Sequence, residues 1–472
     1  MAVPTDRARA RGELVLVVVL LIGSVIPCFW MERAGTGDLL SHVYNVWLVQ
    51  QIKAGQAPGV SLASTHTNIL FDILLDHLVV WFGFALGTKI ALAMAVLLYT
   101  GGQIALWRAV AADGWRAVSP VALMLSYGWL YAIGFTNFYI ALGLGYYAIA
   151  LMWSAPRSRG KIAASVALLA AAWAAHFVAV VMIAAIIGYV VVAERLSLRA
   201  RLWLMGAAVT GSVAGHFFLR RFGNEDFTFQ PQWRTGAEQV WLFSDHYVWF
   251  TAALGLLWLG GLMLLVRRKR SAVLGDRVLQ VYVLIALVGM LAPWGVRWIS
   301  YSVTLGLLPG RIATIAAVFG CAVAARARFG NRLMLVTGAM ALAFFALLHG
   351  DLREIYNAED EMAAVVHQLP RGSRIVSDVD WPTGKVQMWH LMDRACIGYA
   401  YDFGNYEAAS GHFRIQAKQG NTLLTWVSPE VDPVSTAVLL RGKGVPVYEI
   451  YDDEEGHYHA RQLDLSRMPD VE

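Results

Sequence analysis

The feature that most constrains this chain is a succession of apolar runs, each bounded by short clusters of Lys and Arg. They lie at 14–30, 87–106, 117–134, 136–153, 162–193, 200–219, 247–266, 277–294, 308–325 and 331–349. A membrane-spanning helix needs about 20 mostly apolar residues, with a lower limit near 17, and these runs meet it. As one helix, 162–193 would be about 48 Å long at ~1.5 Å per residue. It reads instead as two short crossings that turn near His176. Composition agrees. Soluble proteins carry about 25% charged and roughly 45–50% apolar residues; this 472-residue chain carries 15% and 58%. A wholly soluble enzyme is excluded, and so is a disordered chain.

The net charge of +5 does not point to nucleic acid, because basic residues fall in short clusters between the apolar runs. They carry topology information instead. The clusters are Arg7/Arg9/Arg11, Arg108/Arg116, Arg157/Arg159/Lys161, Arg195/Arg199/Arg201, Arg267/Arg268/Lys269/Arg270 and Arg326/Arg328/Arg332. Placing all six in the cytoplasm requires 162–193 to cross twice and the apolar stretch 68–84, with Asp72, Asp76 and His77, not to cross. The expected fold is an α-helical polytopic membrane protein of about eleven transmembrane helices, N-terminus inside, followed by a soluble α/β domain outside. The run at 14–30 has no small-residue cleavage site after it and reads as a retained first helix.

This topology leaves a transmembrane domain over 1–350, with an outer loop at 31–86 that holds two short helices, and an outer α/β domain over 351–472. In the latter, a helix near 354–368 and strands at 374–379, 412–416, 436–440 and 445–451 are expected. Cys28 and Cys321 lie in apolar runs, so Cys396 has no partner for a disulfide outside the membrane.

The outer loop is the richest in chemistry. In 37–55, Asp38, Ser41, His42 and Asn45 fall at i, i+3, i+4 and i+7, with Leu39, Leu40, Val43, Val46 and Trp47 opposite. Such a helix would lie flat on the bilayer, apolar side down. Asp38 and His42 are placed to share a proton, a metal or a substrate; the plainer alternative is an N-cap and an interfacial histidine. Asp72 and Asp76, one turn apart, repel unless a cation or shared proton intervenes. They either face a cavity or form a solvated stripe, with Asp76 paired to an arginine.

His176 and His216 sit in the outer halves of apolar runs, where packing is the plainer role. Arg220 and Arg221 are open to snorkelling at the headgroups. Arg297 and Arg311 also stand at outer ends, against the positive-inside trend, and a guanidinium binds a lipid phosphate bidentately. The D-x-D of Asp378 and Asp380 reads as a turn. The string 451–459 reads as a hairpin at Glu455-Gly456. No Walker A, G-x-S-x-G, H-E-x-x-H or Cys/His zinc spacing occurs.

This layout resembles the GT-C superfamily of membrane glycosyltransferases, which includes protein O-mannosyltransferases, oligosaccharyltransferase catalytic subunits and aminoarabinose transferases. Asp38 occupies the acidic position early in the first outer loop, and Asp38, His42 and the G-x-x-P-like 55–59 form a D-x3-H variant. His66, in 64–70, falls where relatives start their second parallel helix with His-Pro-Pro, here without the prolines. The resemblance implies sugar transfer from a polyprenyl-phosphate carrier to a glycan, lipid or protein acceptor outside the cytoplasmic membrane. Asp38 and His42 would be catalytic, with Asp38 as general base or helping to hold a divalent metal. Asp72, Asp76, His66, His176, Arg297 and Arg311 would bind substrate. A transporter or flippase, or a non-catalytic assembly subunit for lipid-linked glycans, remains the alternative; few charges in the helix middles speak against transport.

Overall fold

Residues 6–222, 234–296, 305–379, 390–411, 413–428 and 431–470 are described by a computed structural model, apart from the side chains of residues 6, 8 and 219. Arg297 and Asp380 lie outside the described residues. The chain opens with α1 (Asp6–Val25), α2 (Leu39–Lys53), strand β1 (Val60–Leu62) and α3 (Leu70–Ala111). There follow α4 (Thr136–Met152), α5 (Arg159–Ala175), α6 (Phe177–Ala193), α7 (Leu198–Phe222), α8 (Val248–Lys269), α9 (Arg277–Leu291), α10 (Leu308–Arg326) and α11 (Asn331–Val366). Among the described residues five helical segments are long and apolar enough to cross a membrane, and four further apolar helices are shorter. The molecule is a polytopic helical membrane protein.

α3 is two helices folded back on each other. Gly83, at φ 75° and ψ 170°, breaks the helix. Gly87 then packs so close that a Cβ there would lie 2.7 Å from the Leu78 carbonyl oxygen. Nine residues of straight helix would separate the two by about 13 Å. The first arm, 70–82, buries Asp72, Leu75, Asp76 and Val79 and exposes Ile73, Val80, Trp81 and Phe82. Carboxylates inward and large apolar groups outward is the polarity of a helix whose outer surface meets lipid.

The break between α5 and α6 falls at His176, which is extended at φ −165°. The far ends of these two helices meet again, with Arg157 Nη2 2.7 Å from Glu194, so they form the hairpin expected. The run 117–134 behaves differently. Pro120 and Gly128 divide it into helical turns at Trp115–Val118, Val121–Ser126 and Trp129–Ala132 instead of one spanning helix. A proline without an N–H and a glycine in extended conformation account for the interruptions.

A member of each of the six basic clusters is held at one end of the bundle. Arg116 pairs with Glu13, Arg9 with Asp113, and both Arg157 and Arg277 with Glu194. Asp276 receives Lys269 and Arg326, and Arg326 also donates to the Val110 carbonyl. Arg201 donates to the Gly275 carbonyl. Arg311 stands at the opposite end of α10, about 22 Å from Arg326 at ~1.5 Å per residue.

α11 is a single 36-residue helix, where the sequence suggested a span ending near 349 and a separate helix at 354–368. At about 54 Å it outruns the hydrocarbon core of about 30 Å and carries the last apolar segment straight into the tail. The tail adds β2 (Arg374–Asp378), α12 (Leu391–Cys396), β3 (Tyr401–Asp402), α13 (Tyr406–Ser410), β4 (Ile415–Ala417), β5 (Val447–Asp452) and β6 (Tyr458–Gln462). Four strands form one sheet in the order β3-β2-β5-β6, with β2 parallel to both neighbours and β5 antiparallel to β6 across the turn at Gly456. The expected strand at 436–440 is helical: Asp432 caps a turn that opens on Pro433 and runs through Leu440. β4 leaves the sheet and pairs antiparallel with β1 of the first loop, Val60 opposite Ala417 and Leu62 opposite Ile415.

α2 lies between these two bodies. Leu39, Val43 and Val46 belong to the core of the helical bundle. Leu40, Tyr44, Leu48 and Val49 join Met362, Ile375, Cys396, Ile415 and Ile450 in the core of the tail. The helix therefore does not lie flat with one face in water, as its polar stripe suggested. Residues 39–49 are buried all round, and the polar stripe faces a roof of tail residues.

A candidate active site around Asp38

The backbone ahead of α2 is pressed onto the turn at 131–134. The Thr36 hydroxyl donates to the Tyr131 carbonyl at 2.9 Å, and the Asp38 N–H to the Ile133 carbonyl at 2.9 Å. Gly134, at φ +83°, comes so near that a Cβ would sit 2.5 Å from the Asp38 nitrogen. Asp38 occupies the N-cap position of α2, yet its side chain makes no capping bond. The carboxylate is turned instead toward the tail and toward His42.

Asp38 Oδ1 accepts from the Tyr406 hydroxyl at 3.0 Å and faces His390 Nε2 at 3.6 Å, while Oδ2 faces His42 Nε2 at 3.6 Å. The two histidine contacts are at ion-pair distance and longer than hydrogen bonds. Behind His42, Nδ1 is 2.7 Å from Asp72 Oδ1, and Asp72 Oδ2 accepts from Asn137 Nδ2 at 2.8 Å. Asn137 is itself fixed by the Phe71 N–H. Behind His390, Nδ1 is 3.2 Å from Asp393 Oδ2, close enough to pair but poorly aligned for a hydrogen bond. Asn405 Nδ2 donates to Asn45 Oδ1 at 2.6 Å, and Asn45 donates to Ser41 Oγ. Of the polar stripe read from the sequence, residues 38, 41, 42 and 45, Asp38 and Asn45 bond to the tail, Ser41 bonds to Asn45 and His42 to Asp72.

The electrostatics follow from this crowding of carboxylates. Burial works against a charged His42, but Asp72 first, then Asp38 and Glu407, outweigh it and hold its pKa up at about 10. Burial and the Asp72 carboxylate push Glu407 up to about 8. Burial opposes a charge on His390 as well, and Asp393 and Asp38 together raise its pKa. Burial and then the Asp38 carboxylate raise the Tyr406 hydroxyl, which remains a hydrogen-bond donor.

Arg311 stands at the first turn of α10, buried, with Nε donating to the Gly306 carbonyl at 3.1 Å. Its guanidinium lies 4.1 Å from the Phe135 ring centre and 5.0 Å from that of Phe138. Asp38 is the carboxylate whose charge reaches it. His176 meets Phe138 edge-on at 5.1 Å, and its buried Nδ1 has no hydrogen-bond partner. Phe138 therefore touches both His176 and Arg311.

The other predicted residues go elsewhere. Asp76 is one turn from Asp72 but belongs to a different group: its Oδ2 receives Lys53 Nζ at 2.7 Å and Arg414 Nη2 at 2.8 Å. The two carboxylates are kept apart by separate cations, and Asp76 locks α3 to the tail rather than facing Asp38. His66 is exposed on the segment before α3. The sequence reading missed His390, Asp393, Tyr406, Glu407, Asn137 and Asn405. An i, i+3 His–Asp pair is a faint signal for the first two. The others carried none, because Asn405 also caps α13 through the Glu407 N–H and reads as an ordinary helix start.

The group does not fit a divalent metal. Each imidazole stands between two carboxylates, so Asp72, Asp38 and Asp393 cannot converge on one ion, and no trio of His, Cys, Asp or Glu among the described residues is grouped to hold one. A cleft between Pro27–Gly35 and α11, lined by Arg33, Tyr131, Tyr356 and Glu359, is separate from the Asp38 group.

No family profile matches this sequence, and no curated protein sequence matches it. Solved structures do. The crystal structure of ArnT from Cupriavidus metallidurans in the apo state aligns over 95% of this chain and 94% of that one, with a TM-score of 0.55 and 13% identity. ArnT from the same organism bound to undecaprenyl phosphate aligns over 94% of each chain, with a TM-score of 0.54 and 13% identity. This chain shares the fold of those ArnT structures. Both alignments run through the membrane helices and the tail alike.

Proposed function

We propose that this protein is a GT-C-type glycosyltransferase that moves a sugar from a polyprenyl-phosphate carrier to an acceptor hydroxyl. One observation carries the reading: a carboxylate, Asp38, is held between two imidazoles at the junction of bundle and tail, within electrostatic reach of the buried Arg311. The undecaprenyl phosphate held by one of the ArnT structures supports a polyprenyl phosphate as the donor's lipid part. The basic ends of the helices favour the cytoplasmic side, which supports a reading in which Asp38 and the tail, 351–472, lie on the outer face of the cytoplasmic membrane.

The chemistry divides between the two charges. Asp38 removes the proton from the acceptor hydroxyl as its oxygen attacks the anomeric carbon. The bond from that carbon to the lipid phosphate breaks, and the negative charge gathers on the departing phosphate. Arg311, fixed by Gly306 and two phenylalanine rings, supplies a preorganised positive charge for it, the kind of term that dominates many rate enhancements. His42 faces Asp38 Oδ2 and orients the carboxylate.

The test is sugar transfer in proteoliposomes given a panel of polyprenyl-phosphate sugars. Asp38→Asn should lower transfer by about 100-fold or more, and Arg311→Gln should fall comparably with the fold intact. If labelled lipid-linked sugar crosses the bilayer unhydrolysed, at a rate indifferent to Asp38→Asn, the protein is a flippase and the reading is wrong.

A further inference from the structure

We propose that the tail supplies a second proton-handling group: His390, backed by Asp393, takes through Asp38 the proton that the acceptor hydroxyl gives up. The inference rests on Asp38 being the base. It adds that the base is incomplete without the C-terminal segment.

The geometry makes the two histidines look alike and assigns them different work. Both turn Nε2 to Asp38, at 3.6 Å on opposite oxygens, and both keep a carboxylate on the Nδ1 side. His42, however, pairs closely with Asp72 at 2.7 Å, and Asp72 and Asp38 hold it as an imidazolium. With both nitrogens protonated it can donate to Asp38 and cannot accept from it. His390 faces Asp393 on its own helix, Asp38 and His42 from α2, and the ring of Tyr406 from α13 at 5.2 Å. Behind Asp393 lies Asp402, whose carboxyl pKa is raised by burial first and then by Asp393. His390 is the imidazole less tightly held by its backing carboxylate, 3.2 Å from Asp393 against 2.7 Å between His42 and Asp72.

Access to water points the same way. The side chains of His42, Asp38 and His390 are 5%, 15% and 23% exposed, a progression that leads outward through the tail's histidine. In the forward step the acceptor oxygen bonds to the anomeric carbon while the carbon–oxygen bond to the lipid phosphate breaks. The phosphate keeps the electron pair. The acceptor's proton passes to Asp38 and on to His390 Nε2 in the uncharged form of that imidazole, whose Nδ1–H is turned to Asp393, and then to water.

The experiment measures kcat and the donor KM against pH for the full-length protein in proteoliposomes with a polyprenyl-phosphate sugar. His390→Ala should cut kcat by about 100-fold near neutral pH, leave the donor KM unchanged, and remove the ionisation that limits kcat on the acid side. Added imidazole should restore part of the rate. His390→Gln, which fills the same space and hydrogen-bonds without titrating, should remain impaired. The proposal is overturned if His390→Ala keeps the normal pH profile. It is equally overturned if His390→Gln restores full activity, or if a misfolded His390→Ala is accompanied by a folded, fully active His390→Gln. Asp38→Asn serves as the control. If that variant retains transfer, the general-base reading itself fails; if it is inactive while His390→Ala is normal, only the present inference does.

Discussion

His42 and His390 present the same ring nitrogen to opposite oxygens of one carboxylate, each 3.6 Å from Asp38. One comes from the first loop and the other from the tail, so the two segments share a single charge group rather than merely touching. The pairing of β1 with β4 and the hold of Arg414 on Asp76 bind the same two segments a short way along. Three independent ties at one seam give the tail a fixed position over Asp38, which a site depending on both segments requires.

The charge on His42 predicts a pH dependence of stability. Its folded pKa of about 10 lies above its ordinary 6.5. The stabilisation from pairing with Asp72 is therefore complete below about pH 6.5 and is lost progressively as pH rises from there through about 10. Thermal unfolding of the protein in nanodiscs should show a midpoint that falls over this window. Asp72→Asn should lower the midpoint at pH 7 and flatten the fall, because the neutral amide no longer holds the imidazolium. An unchanged slope in Asp72→Asn would show that another group sets the dependence.

The clamp on Asp76 predicts an asymmetry between its two cations. Arg414 is mostly buried, whereas Lys53 is more than half exposed, so solvent screens the lysine more strongly. Arg414→Ala should destabilise the seam by roughly 1.5–3 kcal/mol, the range for a hydrogen bond to a charged group. Lys53→Ala should cost well under 1 kcal/mol. Limited proteolysis in the links around β4 should accelerate in the first variant and not in the second. Equal sensitivity of the two would mean that Asp76 is not the anchor.

Membrane architecture was legible because apolar length and basic clusters are local properties. The turn at His176 followed from counting crossings alone, and the break at Gly83 sets off as an arm of its own most of the stretch 68–84 that the same count expects not to cross. The stripe Asp38, Ser41, His42 and Asn45 was legible by helical spacing, and so was the prominence of Asp72. What it faces was not. α2 carries two apolar faces, Leu39/Val43/Val46 and Leu40/Tyr44/Leu48, and a pattern that is apolar nearly all round does not say which side is lipid and which is protein. His390 and Tyr406 were hidden for a related reason. They act only where a distant segment folds back over α2, and no spacing within the tail records that contact. The strand expected at 436–440 failed locally: Val438, Leu439 and Leu440 look strand-like, but Asp432 and Pro433 start a helical turn before them.

The first arm of α3 predicts where lipid begins. Its outward face carries Trp81, 70% exposed, and Val80, 66% exposed, while Asp72 and Asp76 are turned inward. In water such a face would be a large unpartnered apolar patch; against acyl chains it is at no disadvantage. The three native cysteines are all buried, so a single introduced cysteine can be labelled in the otherwise unaltered chain. A spin label at Trp81→Cys should relax strongly with oxygen, which concentrates in the bilayer, and weakly with a water-soluble nickel chelate. A label at Asp453→Cys, beside the exposed turn between β5 and β6, should show the reverse. Nickel-dominated relaxation at residue 81 would place the arm in water, and the membrane surface would have to be redrawn away from Asp38.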